Sequence, residues 1–134
     1  MLSTGTVEYV LAAFHKGLAS MGFIEGRDLT VLQRNAQGQF DRLPAMAEDL
    51  VKAKVDAIFA VGGPLPARAA KAATTSIPIV FAYGSDPVVD GLVASFSRPG
   101  GNVTGATFLG VAYTTKRLGI LKQLVPQAKS VTLM

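Results

Sequence analysis

The chain has 134 residues, 49% of them hydrophobic and 16% charged, with a mean hydropathy of +0.37. That is enough for one packed domain, and it excludes disorder, which needs low hydrophobicity and high net charge. There is no cysteine and one histidine, His15, which excludes disulfide frameworks, thiolate clusters and multi-histidine metal sites.

The net charge of +4 is unevenly placed: residues 1–90 carry 8 basic and 9 acidic side chains, and residues 91–134 carry 5 basic and no acidic ones. The five (Arg98, Lys116, Arg117, Lys122, Lys129) are spread thinly, with no basic helix and no interleaved aromatics. No nucleic-acid partner is expected from such a pattern. No apolar run approaches the roughly 20 residues that cross a bilayer, and the first residues lack the basic-then-apolar pattern of a leader.

Val7, Val10, Leu11, Phe14, Leu18 and Met21 recur at helical spacing, and Gly22 suits the cap beyond them, so a helix is predicted over 7–21. Residues 28–34, Asp-Leu-Thr-Val-Leu-Gln-Arg, read as a strand. Asp41 is a candidate N-cap for a second helix with Leu43, Met46, Ala47, Leu50 and Val51 on one face. Its Pro44 fits only in a first turn, where no N–H donor is needed.

Residues 55–61 form a run apolar on both faces, as in a buried parallel strand, and end in Gly62-Gly63. Pro64-Leu-Pro66 opens an alanine-rich helix over 67–75, and a strand follows over 77–82. Residues 83–102 are rich in glycine and proline and read as irregular. A strand over 103–108, a helix over 112–124 stopped by Pro126, and the start of a strand over 130–134 complete the chain. Asn102-Val-Thr104 matches a glycosylation sequon but reads as a turn into the strand.

This alternation predicts an α/β fold: a parallel sheet with helices on both faces. Ligands of such sheets bind beyond the carboxyl ends of the strands. The rule nominates residues 3–6, 62–66 and 83–89, with 108–111 as a weaker fourth loop.

No dinucleotide fingerprint, Walker lysine or nucleophile elbow is present, and no cofactor or metal is expected. A phosphorelay receiver needs an aspartate at the end of its third strand, where this chain has Ala60-Val-Gly62. His15 reads as a solvated or packing residue, and with no nucleophile–base pair no catalytic residue is expected. Gly62-Gly63 is either a tight turn or a place where a ligand anion meets bare N–H groups at a helix N-terminus. Asp86 either organises its own turn or holds a ligand ammonium or hydroxyl, and Tyr83 either packs or stacks on a ligand.

Six segments come in a fixed series: Phe14-His-Lys-Gly-Leu18, Gly22-Phe-Ile-Glu-Gly-Arg27, Phe40-Asp-Arg-Leu-Pro-Ala45, Ile77-Pro-Ile-Val-Phe81, Asp86-Pro87 and Arg98-Pro-Gly-Gly-Asn-Val-Thr-Gly105. Together they resemble the substrate-binding proteins of ABC transporters, of the tryptophan/tyrosine uptake type, over essentially the whole chain. The resemblance implies a type I periplasmic-binding-protein fold, with one flavodoxin-like lobe carried here. It further implies an extracytoplasmic location, a small polar solute such as an amino acid held between two lobes, and a membrane permease as partner. The ligand-binding residues it implies are Ser3, Thr4, Gly5, Gly63, Pro64, Leu65, Gly84, Ser85, Asp86 and Pro87, joined by Tyr83 from the strand-end rule.

At Gly63-Pro64-Leu65-Pro66 the sequence departs from the family, where a small hydroxyl residue commonly follows the glycines. Family members are about twice as long. The resemblance therefore implies a single lobe over 1–134, beginning inside a first strand and reaching a second lobe's first strand near 130–134. The alternative is the effector-sensing core of a regulator or sensor with the same fold. The expected strand order is 2-1-3-4-5, with the first strand central but short. From this a homodimer is expected, in which residues 131–134 of one copy repair the sheet of another; the alternative is a monomer with a stub at its centre.

Overall fold

The structure, a computed structural model, describes residues 1–5, 8–108, 113–127 and 130. Its elements in chain order are β1 (Leu2–Ser3), α1 (Glu8–Ser20), β2 (Arg34–Asn35), α2 (Leu43–Lys52), β3 (Ile58–Val61), α3 (Pro64–Ala73), β4 (Ile79–Tyr83), β5 (Val103–Thr107) and α4 (Thr114–Leu124). The strands form one five-stranded sheet in the order β2-β1-β3-β4-β5, parallel at each pairing. This is the expected α/β architecture with β1 between β2 and β3.

The strand period divides the sheet into two faces. Leu2, Ile58, Ala60, Ile79, Phe81 and Val103 are buried on one, under α2 and α3. Helix α2 turns Leu43, Ala47 and Leu50 inward at helical spacing, and α3 adds Pro66, Ala67 and Ala70. The small side chains of α3 bring its backbone close to the sheet, and Leu92 and Val93 of the long segment after β4 close the core. On the other face, α1 meets β3 through Phe14, whose ring stacks on Phe59 at 4.9 Å. Neither α1 nor α4 buries a residue completely.

Most elements start or stop one to three residues from the sequence reading, such as β3 at Ile58 rather than 55 and α3 at Pro64 rather than 67, and three differences have a visible cause. The strand expected over 28–34 is paired with β1 only at Arg34–Asn35, because β1 is two residues long. The backbone groups of Thr30 and Val31, alongside, have no hydrogen-bond partner among the described residues. Asp41 does not cap α2: a 3-10 turn at Phe40–Arg42 leads in, with Arg42 at the cap position and no side-chain cap bond, while Pro44 does lie in the first turn. Strand β4 extends through Tyr83, one residue further than expected, since Ile79, Phe81 and Tyr83 share the buried face. Residues 131–134, and with them the exchange between copies, lie outside the described residues. Asn102 behaves as a turn residue: its Nδ2 donates to the carbonyls of Thr74 and Ile77, fixing the approach to β5.

The Met1 ammonium donates to the Leu32 carbonyl at 2.5 Å. Burial, and then the nearby Arg34 guanidinium, push its pKa below the usual 8.0.

Candidate functional site

Because the sheet is parallel and β1 is central, the carboxyl ends of β2, β1, β3, β4 and β5 stand side by side in that order. The connection from β1 runs through α1, stacked on one face, and those around β3 run through α2 and α3, packed on the other. The β1/β3 junction is therefore a topological switch point, where a crevice opens between diverging chains.

The β1 loop is tied on both sides. Thr4 Oγ1 donates to the Gly62 carbonyl at 2.8 Å, and Asn35 Nδ2 donates to the Gly5 carbonyl at 3.0 Å. Asn35 Oδ1 in turn accepts from the Gln37 N–H at 2.8 Å, and Gly38 N–H donates to the Thr4 carbonyl at 2.8 Å. Ser3 is fully buried, and its hydroxyl has no hydrogen-bond partner among the described residues.

At the end of β3, Gly62 and Gly63 have φ of +90° and +113°, in the region that glycine tolerates best. A Cβ on Gly62 would stand 2.2 Å from Thr4 Oγ1, so the residue must also be bare. Gly63 caps α3, whose first three N–H positions have no acceptor within the helix. Pro64 and Pro66 remove two of those donors, and Leu65 keeps the third.

The β4 loop is held from beneath. Arg68 of α3 donates from Nε and Nη2 to the Asp90 carbonyl at 3.0 and 2.8 Å, and Lys71 donates to the carbonyls of Gly91 and Leu92 at 2.9 and 3.0 Å. The Ser85 hydroxyl donates to the Asp90 carboxylate, and Thr107 Oγ1 donates to the Ser85 carbonyl at 2.6 Å. Asp86 organises its own turn: Oδ1 accepts from the N–H groups of Val88 and Val89 at 2.8 and 3.3 Å, while Oδ2 makes no hydrogen bond among the described residues. Pro87 is buried.

The structure thus gathers the nominated residues at one edge of the sheet, in three adjacent loops. Tyr83 stands apart from the rest: it is 3% exposed, packs 5.1 Å from Phe81, and faces the core. Burial, and then the Asp90 carboxylate beside it, raise its pKa well above the usual phenol value. Sequence reasoning passed over Asn35, Arg68 and Asp90, while Phe108 opens the loop over 108–111 that the strand-end rule ranked fourth. Asn35 had a signal, a short polar amide at a strand's end ahead of a turn; Phe108 had one too, a large apolar residue just past a strand.

Among the described residues no three metal-ligating side chains converge. No helix among them is long and apolar enough to cross a membrane. His15 faces Glu25 at 3.3 Å, on α1 and the segment after it, and Ser85 donates to the Asp90 carboxylate, so among the described residues no hydroxyl is hydrogen-bonded to an imidazole.

The sequence model of the family described as ABC transporter substrate binding protein matches residues 2–134. A tyrosine-binding protein of Clostridioides difficile is 37% identical over 119 residues, covering 88% of this chain and 33% of that protein. Among solved structures, the ligand-free, open structure of a substrate binding protein with adhesive properties from Clostridium difficile is 34% identical with a TM-score of 0.76, over 96% of this chain and 44% of that one. A conserved domain protein of Vibrio cholerae is 30% identical with a TM-score of 0.81, over the same shares. An ABC domain from Streptococcus pneumonia in complex with L-Trp is 26% identical with a TM-score of 0.69, over 79% of this chain and 36% of that one. The chain therefore spans about a third of the curated relative it matches and less than half of each of these structures.

Proposed function

We propose, since the chain belongs to the ABC transporter substrate-binding protein family, that it forms one lobe of an extracytoplasmic receptor for an amino acid with an aromatic side chain. The receptor holds the amino acid at the carboxyl edge of the sheet and passes it to a membrane permease. Binding, without chemistry, is its role.

The observation that carries this reading is the pairing of opposite needs at one edge. The N–H groups of Gly63 and Leu65 have no acceptor among the described residues and lie at the positive end of the α3 dipole. Asp86 Oδ2, in the adjacent β4 loop, has no hydrogen-bond partner among the described residues. A zwitterion answers both, its carboxylate turned to the N–H groups and its ammonium to Asp86. The two prolines restrict this to few donors, which suits one small carboxylate better than a polyphosphate. The ligands of the relatives, tyrosine and L-Trp, support an aromatic amino acid. At Gly63 nothing lies within 4 Å of a Cβ position, which leaves room for a ligand to approach the main chain.

A panel of amino acids, sugars and divalent metals titrated into the isotope-labelled chain, followed by amide chemical shifts, tests the reading. Tyrosine, phenylalanine or tryptophan is expected to move the amides of residues 62–65 and 84–87, and Asp86→Asn to weaken the effect severalfold. Shifts confined to sugars or metals would refute it.

A further inference from the structure

Tyr83, the aromatic residue nominated for stacking, is turned into the core, where its ring has no face to offer a solute. One position past the neighbouring strand, Phe108 is 71% exposed. The register pairs Tyr83 with Thr107, so Phe108 stands beside Gly84 at the carboxyl edge. Its N–H donates to the Tyr83 carbonyl at 3.2 Å, which fixes the backbone beneath the ring. The ring lies over bare main chain: a Cβ built on Gly84 would meet the Phe108 ring at 3.6 Å. What sets this exposed ring apart is its place: it stands over Gly84, beside the loop that carries Asp86.

We propose that Phe108 is the specificity-determining residue of the site, the flat surface on which the solute's aromatic side chain stacks. This rests on the reading of the site as an amino-acid receptor and goes beyond it by assigning the preference for aromatic over aliphatic side chains to one ring. Stacked and edge-to-face ring pairs hold each other beyond what buried area alone supplies, whereas a leucine side chain has no quadrupole to offer the ring. Exposure of the ring makes the position replaceable without disturbing the core.

The test compares L-phenylalanine and L-leucine binding to the 134-residue chain by chemical-shift titration, for wild type, Phe108→Leu and Phe108→Trp. Wild type is expected to prefer phenylalanine. Phe108→Leu is expected to reduce that preference by about threefold to tenfold, the range of a ring–ring contact, by weakening phenylalanine more than leucine, with the melting temperature nearly unchanged. Phe108→Trp is expected to retain it. An unchanged phenylalanine-to-leucine ratio in Phe108→Leu would overturn the assignment and leave the receptor reading intact. Equal weakening of both ligands with a fall in melting temperature would also overturn it, by making the ring structural. Failure of the wild-type chain to bind either amino acid would overturn the receptor reading and this assignment together.

Discussion

Gly62→Ala is expected to destabilise the chain by about 2–4 kcal/mol and to disturb the β1 and β3 loops together. Two separate causes act at the position. The backbone sits at φ +90°, where an alanine is strained wherever its side chain points. The new methyl would also stand 2.2 Å from Thr4 Oγ1, the atom that donates to the Gly62 carbonyl. The hydroxyl must swing away, and its bond to the carbonyl is lost with it. The two causes separate in a double-mutant cycle: in a Thr4→Ala background the clash with Oγ1 is gone, leaving the backbone strain and the closer contacts of 3.3 and 3.4 Å with the residue 4 N and Cβ, so the same substitution should cost about 1 kcal/mol less. Chemical denaturation of the four proteins measures this. Equal costs in both backgrounds would show that Thr4 and Gly62 are not coupled.

The 134-residue chain is expected to bind its amino acid no more tightly than about millimolar, near −4 kcal/mol. A receptor that encloses its ligand between two walls gains contacts from both and excludes water from the polar ones. Here Phe108 is 71% exposed and Leu65 is 39% exposed, and the relatives are more than twice as long as the matched region. An intact receptor binding near micromolar, about −8.2 kcal/mol, would differ by roughly a thousandfold. Calorimetry on this chain settles the point: a micromolar dissociation constant would mean that one sheet edge suffices and that a second wall adds little.

The strand order was legible because it depends on a pattern the chain repeats. The apolar runs over 55–61 and 77–82 mark buried parallel strands, and the helices between them carry their apolar faces at helical spacing. The strand over 28–34 failed for a reason outside its own residues. Leu29, Val31 and Gln33 have the alternation, but a strand exists only where a neighbour pairs with it, and β1 offers Leu2 and Ser3 alone.

At the site, the loops followed from the topology, while the side chains that hold them did not. Asn35 reaches a carbonyl 30 positions away and Arg68 one 22 positions away, and no local spacing encodes such partners. Tyr83 was misread by one residue of strand length. Ile79 and Phe81 already set a period of two, and carrying it one step further turns Tyr83 into the core. The same step places Phe108, past Thr107 on β5, beyond the sheet.

The brevity of β1 also decides how the chain comes apart. Strand β2 is joined to the rest of the sheet through Leu2 and Ser3, while β3 with β4 and β4 with β5 are paired over four and five residues. Opening that pairing would also have to break the Phe14–Phe59 stack and the Arg34–Asp49 bond, and it would take Leu2 and Ala36 out of the core. The block of β3, β4, β5, α2 and α3 keeps its own ladders when this happens. The pairing beside β1 is thus the thinnest in the sheet, and limited proteolysis is expected to cut the N-terminal quarter of the chain first.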